Sequence, residues 1–314
     1  MPEHSPVDVS ILVVSHNTCD LTDAALTAVV RETHALRYEI IVVDNASTDG
    51  SVAMLRAHPA KPRLLALDSN IGFARANNLA AQYAAGRFIL LLNPDTVVLD
   101  NAIDRLVTFA LSAPQARIWG GRTLFADGRL NPSSCWRRMT AWSLFCRASG
   151  LAAIFPKLEL FNGEAYGGWD RGSVRPVDIV SGCFLLVCRD LWQSLGGFDP
   201  LFFMYGEEAD FCLRARALGA RPMVTPAATI IHHGGASERA RADKLVKLLA
   251  AKSSLIARHW PAPATAFGSA LLAAWPLSRL AATGLVAMIT RKGRDREAAT
   301  AWRDVWRRRD AWLT

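Results

Sequence analysis

The first 110 residues alternate between two hydrophobic periods, and few folds accept that pattern. Val9–Ser15 (VSILVVS) is an unbroken apolar run of strand length, followed by helical periodicity over Leu21–Glu32. Tyr38–Asp44 (YEIIVVD), Arg63–Leu67 and Arg87–Leu92 (RFILLL) repeat the strand signature, while Ser51–Ala57, Phe73–Ala85 and Asn101–Ser112 read as helices. Continuous apolar strands belong in a sheet covered on both faces, and strands spaced by helices are joined by crossovers. The pattern predicts an α/β domain with a mostly parallel sheet whose post-strand loops gather along one edge. From Ser112 to Asp178 regularity falls, with Gly120-Gly121, Asp127-Gly128, Asn131-Pro132 and Gly167-Gly168 as turn signals. Val177–Cys188 then reads as a strand pair or one strand with a glycine break, Glu207–Leu218 as a helix capped at Gly219, and Met223–His233 as a strand.

At 314 residues, with 51% hydrophobic and 20% charged content, the chain has room for one large domain and an appendage, and is not disordered. None of the six cysteines forms a C-x-x-C pair, which argues against a zinc site or disulfide framework and fits a reducing compartment. The opening MPEHSPVDVS has no basic region leading into an apolar run, so no signal peptide is expected. Charge is unevenly placed. Met1–Gly235 carries 21 Lys and Arg against 22 Asp and Glu, whereas Ala236–Thr314 carries 15 against 6 and five of the ten tryptophans. These split the chain into a catalytic domain over 1–235 (a ligand-binding half to about 110, then 111–235) and a helical, basic, Trp-rich region over 236–314. Within the latter, Glu238–His259 reads as an amphipathic helix, His259–Ser278 lacks Asp, Glu, Lys and Arg, and apolar Leu280–Thr290 precedes RKGRDR. The length suits a span, which needs ~20 apolar residues. Pro261, Pro263, Pro276 and Arg279 interrupt it, however, so an interfacial or re-entrant hairpin beside an anionic membrane is expected. Packing on the body or in a homo-oligomer is the alternative.

Five polar constellations stand out, four of them directly after a strand, where open α/β sheets bind ligands. Ser15-His16-Asn17 follows the first strand and Asp44-Asn45-Ala46-Ser47-Thr48-Asp49-Gly50 the second. Asp44 could accept hydrogen bonds from a nucleoside, or serve only as a turn residue. Asn70-Ile71-Gly72 leads into a helix with Arg75 and Asn77; Gly72 permits close backbone approach and the helix N-terminus suits an anion, unless Asn70 merely caps it. Asn93-Pro94-Asp95 follows RFILLL and offers a carboxylate to a hard cation such as Mg²⁺ or Mn²⁺. The last constellation joins Glu207, Glu208 and Asp210 with the later His232-His233-Gly234-Gly235 run. Glu207 and Asp210 would share a helix face, and crowded carboxylates beside apolar groups can shift toward a base near neutrality.

In this order, the pieces resemble family 2 glycosyltransferases, which have the GT-A fold and use nucleotide-activated sugars. The resemblance runs roughly from Val9 to Ser237 and rests on VSHN, IIVVDNASTDGS, NIGFARANN, LLNPDT, SGCFLLVCRDLWQSLGGFDPLFFMYGEEADFCLR and HHGGAS. The last three look most like the bacterial rhamnosyltransferase branch, which builds surface polysaccharide from dTDP-rhamnose. The resemblance implies a Rossmann-like sheet, mostly parallel with an antiparallel strand. It puts base and ribose near Ser15, Asn17 and Asp44, with Asn70, Gly72 and Asn77 lining the donor pocket. Asp95 matches the last acid of the family's D-x-D metal motif, whose first position is Asn93 here, and His232 matches the histidine of its H-x-x-G-x-S segment. Glu208 matches the catalytic base in an E-D-x-D element that reads Glu-Glu-Ala-Asp, and Glu207 remains a rival.

These readings imply an inverting transfer, best assigned to L-rhamnose, onto a lipid-linked or glycan acceptor, by a cytoplasmic enzyme peripheral to the inner membrane face. Galactofuranose or glucose donors are the alternatives within the class. A sugar nucleotidyltransferase is disfavoured because the loop after the first strand, SHNTCD, lacks glycine, lysine and arginine. A non-catalytic, membrane-associated glycan-binding protein would use Glu207 and Glu208 only as helix-start residues. No G-x-G-x-x-G follows a strand, against a dehydrogenase, and the body is not basic enough for nucleic acid.

Overall fold

The computed structural model describes residues 7–234, 241–290 and 292–313. Among these, the strands are β1 (Val9–Ser15), β2 (Tyr38–Asp44), β3 (Arg63–Ala66), β4 (Phe88–Leu92), β5 (Thr96–Val98), β6 (Ile118–Leu124), β7 (Leu130–Asn131), β8 (Cys135–Trp136), β9 (Arg175–Pro176), β10 (Ile179–Val180), β11 (Phe184–Cys188) and β12 (Met223–His232). The helices are α1 (Cys19–Glu32), α2 (Ser51–Ala57), α3 (Phe73–Ala81), α4 (Ala102–Ser112), α5 (Ala141–Ser149), α6 (Leu151–Ile154), α7 (Arg189–Leu195), α8 (Glu207–Ala217), α9 (Arg241–His259), α10 (Ala262–Thr290) and α11 (Gly293–Arg307).

The main sheet has the order β3-β2-β1-β4-β11-β6-β12-β5. Its β3-β2-β1-β4 half is parallel, and β11 runs antiparallel between β4 and β6. All seven residues of β1 are buried, as an apolar run covered on both faces requires. The core joins Val9, Ile11 and Val13 to Leu90, Leu106 and Trp119. Each of β1, β2 and β4 therefore delivers its following loop to the same edge.

Several sequence expectations shift. The third helix stops at Ala81, not Ala85, because residues 82–86 turn toward β4. Gly120-Gly121 is no turn; both glycines lie inside β6, where a Cβ at Gly121 would meet the Ala228 carbonyl at 2.3 Å. They let the irregular stretch of β12 between Thr225 and Thr229 approach. The glycine break in 177–188 is real and separates β10 from β11.

The chain's compact units do not follow a single cut at 235. Met1–Trp136, Asp170–Phe203 and Glu207–Ser237 form one; Arg137–Trp169, Met204–Gly206 and Glu238–Thr314 form the other. In the second, a core of Leu144, Val246, Leu249, Ile256, Leu272, Trp302, Val305 and Trp312 gathers side chains from α5, α9, α10, α11 and the chain end. Glu164, also buried there, meets both Arg147 (3.0 Å) and Lys252. Burial alone would raise its pKa, but the two cations pull it down to about 2. The same burial, with Arg147 nearby, lowers that of Lys252, because one carboxylate is shared by two cations.

The expected C-terminal hairpin is not present. Residues 262–290 form one helix that continues through Pro276 and Arg279, and Pro263 sits in its first turn, where the missing N–H is tolerated. The tail tryptophans turn inward: Trp302 and Trp312 are buried, and Trp260, Trp275 and Trp306 pack around them. Gly235, Ala236 and Ser237 of HHGGAS, Glu238 and Arg239 of the expected helix start, and Arg291 of RKGRDR lie outside the described residues.

Candidate active site

The register of the sheet assembles the centre of the site. β5 follows Asn93-Pro94-Asp95 immediately and pairs antiparallel with β12, so that Thr96 opposes His232. That register brings the His233 amide to the Asp95 carbonyl (3.0 Å) and Asp95 Oδ1 to His232 Nε2 (3.3 Å). Asp95 Oδ2 accepts from the Gly234 amide (3.0 Å). On the other side, Leu92 opposes Phe184, and the Asn93 amide donates to the Cys183 carbonyl (3.1 Å). Asn93 Nδ2 lies 3.4 Å from His232 Nε2.

Burial opposes charge on both partners, yet their proximity wins. The His232 ring and the Gly234 amide hold the Asp95 carboxyl below its usual range despite burial. Burial disfavours the imidazolium, but the Cys183 sulfur and Asp95 carboxylate beside it push the His232 pKa up to about 10. His232 Nδ1 is buried without a hydrogen-bond partner among the described residues. A cation would take the place of the His232 proton: with that proton lost, a carboxylate oxygen and an imidazole nitrogen 3.3 Å apart suit two adjacent positions around a small octahedral cation, whose ligands stand ~2.1 Å away. The pair fits Mg²⁺ or Mn²⁺ with substrate oxygens completing the sphere. No cluster of three His, Cys, Asp or Glu able to hold a metal occurs among the described residues.

Glu207 opens α8, as expected, and three acids occupy its first turn. Their roles separate by environment. Asp210 is fully buried and bonds Arg214 Nε at 2.6 Å, one helical turn on; Arg214 in turn donates to the carbonyls of Leu195 and Gly197. Asp210, placed among the catalytic candidates, is thus engaged by Arg214 inside the protein. Glu207 is also buried, and its Oε2 has no hydrogen-bond partner among the described residues. Burial first, and the charge of Glu208 second, hold its carboxyl well above the usual carboxylate range and favour its protonated form. Glu208 is only half-buried, its Cβ 3.9 Å from where a Cβ on Gly182 would stand. Gly182 precedes Cys183, so the carboxylate helix and the Asp95–His232 pair meet at the same two residues.

The donor-side loops depart from expectation in several places. Ser15 is fully buried and its hydroxyl joins those of Thr18 and Thr22 (3.1 Å each), leaving it inside the fold. Asn77 is buried as well, its amide donating to the Phe73 carbonyl (2.9 Å). At the start of α3, the amides of Ile71, Gly72 and Phe73 are taken by Asn45 Oδ1, Asn70 Oδ1 and the Phe203 carbonyl. Those three are thus lost to an anion, and Gly72 seats a protein loop: a Cβ there would meet the Phe203 carbonyl at 2.5 Å. Arg75 is exposed.

The remaining donor-side residues hold the loops after the strands. Asp44 is fully buried, with Oδ1 accepting from the Ser47 amide (2.9 Å) and Oδ2 without a partner among the described residues. Asn17 has φ +53° and its side chain accepts from the Thr48 amide (2.7 Å), tying together the loops after β1 and β2. Asn70 accepts from Asn45 Nδ2 (2.9 Å) and bonds the second loop to the third. The sequence reading missed Asn78, whose amide both donates to and accepts from the Phe198 backbone (2.7 and 2.8 Å). Its only sequence signal was its place as the last asparagine of NIGFARANN.

A parallel half-sheet carrying polar loops, next to an acid–imidazole pair and a carboxylate helix, is the layout of a nucleotide-sugar enzyme. The match to known proteins agrees: the model of Glycosyl transferase family 2 matches residues 10–163, and the chain belongs to that family. It is 30% identical over 246 residues to the O-antigen biosynthesis protein RfbC of Myxococcus xanthus, covering 77% of this chain but 18% of that one. It is also 30% identical over 206 residues to the N-acetylglucosaminyl-diphospho-decaprenol L-rhamnosyltransferase of Mycobacterium tuberculosis, covering 62% of this chain and 66% of the relative. The chain thus spans less than two thirds of either relative. Among solved structures, the mannosyltransferase PcManGT of Pyrobaculum calidifontis, in complex with GDP-Man and Mn²⁺, superposes with a TM-score of 0.58 at 17% identity. That alignment covers 97% of this chain and 88% of the other, and the likeness shows the GT-A fold.

Proposed function

We propose that the chain transfers a sugar from a nucleoside diphosphate donor to an acceptor hydroxyl by a single, inverting displacement. One observation carries this reading: the Asp95–His232 pair and the Glu207–Glu208 helix start converge on Gly182-Cys183 at the loop edge of the sheet. Asp95 and His232 would hold Mg²⁺ or Mn²⁺, which supplies charge neutralisation at the leaving diphosphate. Asp44 offers its unpartnered oxygen to an N–H or O–H of the nucleoside, with Asn17 and Asn70 fixing the loops around it.

Glu208 takes the acceptor proton. As the acceptor oxygen forms its bond to the anomeric carbon, the bond to the diphosphate oxygen breaks and the electron pair leaves with the diphosphate. Burial and the neighbouring Glu208 charge favour the protonated form of Glu207, so the acceptor's proton is assigned to the less buried Glu208. The relatives' names support a surface-glycan role, L-rhamnose as the donor sugar and an acceptor carried on a lipid diphosphate; a lipid-borne acceptor in turn calls for work at a membrane face. The test is a panel of dTDP-, UDP- and GDP-sugars, read as donor hydrolysis with and without Mn²⁺. Metal-dependent hydrolysis of dTDP-rhamnose above the others is expected. Turnover of none of them would overturn the transferase reading, and turnover of another sugar alone would overturn the choice of rhamnose.

A further inference from the structure

The unit made of 137–169, 204–206 and 238–314 is the basic part of the molecule. It holds 19 Lys and Arg against 8 Asp and Glu, whereas the rest of the chain has 17 against 20. Its apolar surface is equally lopsided. With the tail tryptophans turned into the core, its exposed large side chains are elsewhere. The first two thirds of α10 pack inward through Gly268, Leu272 and Pro276, but from Ala281 onward no residue is buried. Leu285, Met288 and Ile289 are 59%, 74% and 72% exposed. A second exposed group, Ile154, Phe155 and Leu158, lies just past α5. The two groups flank one junction: Arg279 of α10 donates to the Arg147 carbonyl at 3.0 Å and reaches within 3.7 Å of a Cβ position on Gly150.

We propose that this face, rather than the tryptophans, seats the protein on an anionic phospholipid bilayer. The proposal rests on the membrane-glycan reading above and names the surface that serves it. Aliphatic and aromatic side chains this bare are unusual on a purely aqueous surface. Here they are bordered by exposed cations, Lys157 at the corner and Lys292, Arg294 and Arg296 beyond the helix end. Apolar groups sunk ~5–10 Å with cations at headgroup level is the geometry of interfacial binding. α10 is long and apolar enough to cross a bilayer, but one face of its first two thirds packs inward through Gly268, Leu272 and Pro276, so the tip is the part that enters. A second copy of this chain is the poorer occupant, since two such basic faces repel.

The experiment is flotation of the full chain with vesicles of phosphatidylcholine alone or containing about one third phosphatidylglycerol. Binding to the anionic vesicles is expected, weakened by high salt and by omission of phosphatidylglycerol. The double substitution Met288→Asp and Ile289→Asp removes exposed groups only, and is expected to reduce binding by about tenfold or more. Leu111→Asp, at another exposed site on α4 (53% exposed), is expected to leave it unchanged. Thermal shift by dTDP with Mn²⁺ is read on the same samples, so that loss of the nucleotide site is distinguished from loss of the membrane face. Failure of the unsubstituted chain to float, or unchanged flotation of the double variant, would overturn the proposal. So would sedimentation showing that the double substitution dissociates a dimer.

Discussion

The chain buries two glutamates and treats them in opposite ways. Glu164, in the helical unit, faces Arg147 and Lys252 and is driven to a pKa of about 2. Glu207, in the sheet unit, has another carboxylate as its charged neighbour, keeps one oxygen unpartnered and is driven well upward. A buried charge that is fully paired contributes to holding a fold together, whereas a buried acid left short of partners is a cost that folding alone does not explain. The contrast separates the unit built for cohesion from the unit that carries chemistry.

The largest effect should come from Glu208, the neighbour of the acid that burial shifts upward. Glu208→Gln is expected to lower transfer by ~10²–10⁴-fold while donor titration stays unchanged; a loss of donor binding in parallel would break the assignment. Next, Glu164→Gln leaves two cations facing no anion and should cost about 3–5 kcal/mol in denaturant unfolding. Acid should produce a related loss without mutation. Because the folded pKa of Glu164 lies below its ordinary 4.5, its contribution is complete above that pH and is lost as pH falls toward 2, on the order of 3 kcal/mol. Circular dichroism against pH, with and without Glu164→Gln, checks the sign. Asp95→Ala should weaken Mn²⁺-dependent donor binding by ~10–100-fold, read by calorimetry. The smallest effect sharpens the contrast most. Glu207→Gln puts a neutral amide in place of an acid whose ionisation burial already disfavours, and should change stability by less than ~1 kcal/mol, toward stabilisation. A cost like that of Glu164→Gln would erase the difference between the two glutamates.

Much of the sheet was readable because β1, β2 and β4 are apolar on both faces and carry their own signature. β5 was not, since three residues after Asn-Pro-Asp hold no period, yet that strand brings Asp95 to a histidine far along the chain. The Asp95–His232 pairing came from resemblance; the register supplies its physical cause. Asp210 and Arg214 were open to inference, lying four residues apart on a helix that the sequence already predicted. Ser15 and Asn77 were misjudged because a polar side chain near a loop can turn inward to its own hydroxyls or carbonyls, and spacing does not reveal which way. The tail was misjudged for a similar reason. Pro276 suits a helix that neighbouring helices hold, and tryptophans lie inside or outside according to partners that composition does not identify.

The contact at Gly72 links two stretches that the sequence keeps far apart. The Phe203 carbonyl rests on this glycine and bonds the Phe73 amide at 2.8 Å, and α8 begins four residues after Phe203. The strand-edge loop that begins α3 is thereby tethered, through a leash of three residues, to the helix whose Glu208 is the proposed base. A single methyl at position 72 would push on that leash, and its mark would be found at Glu208 rather than where the change was made.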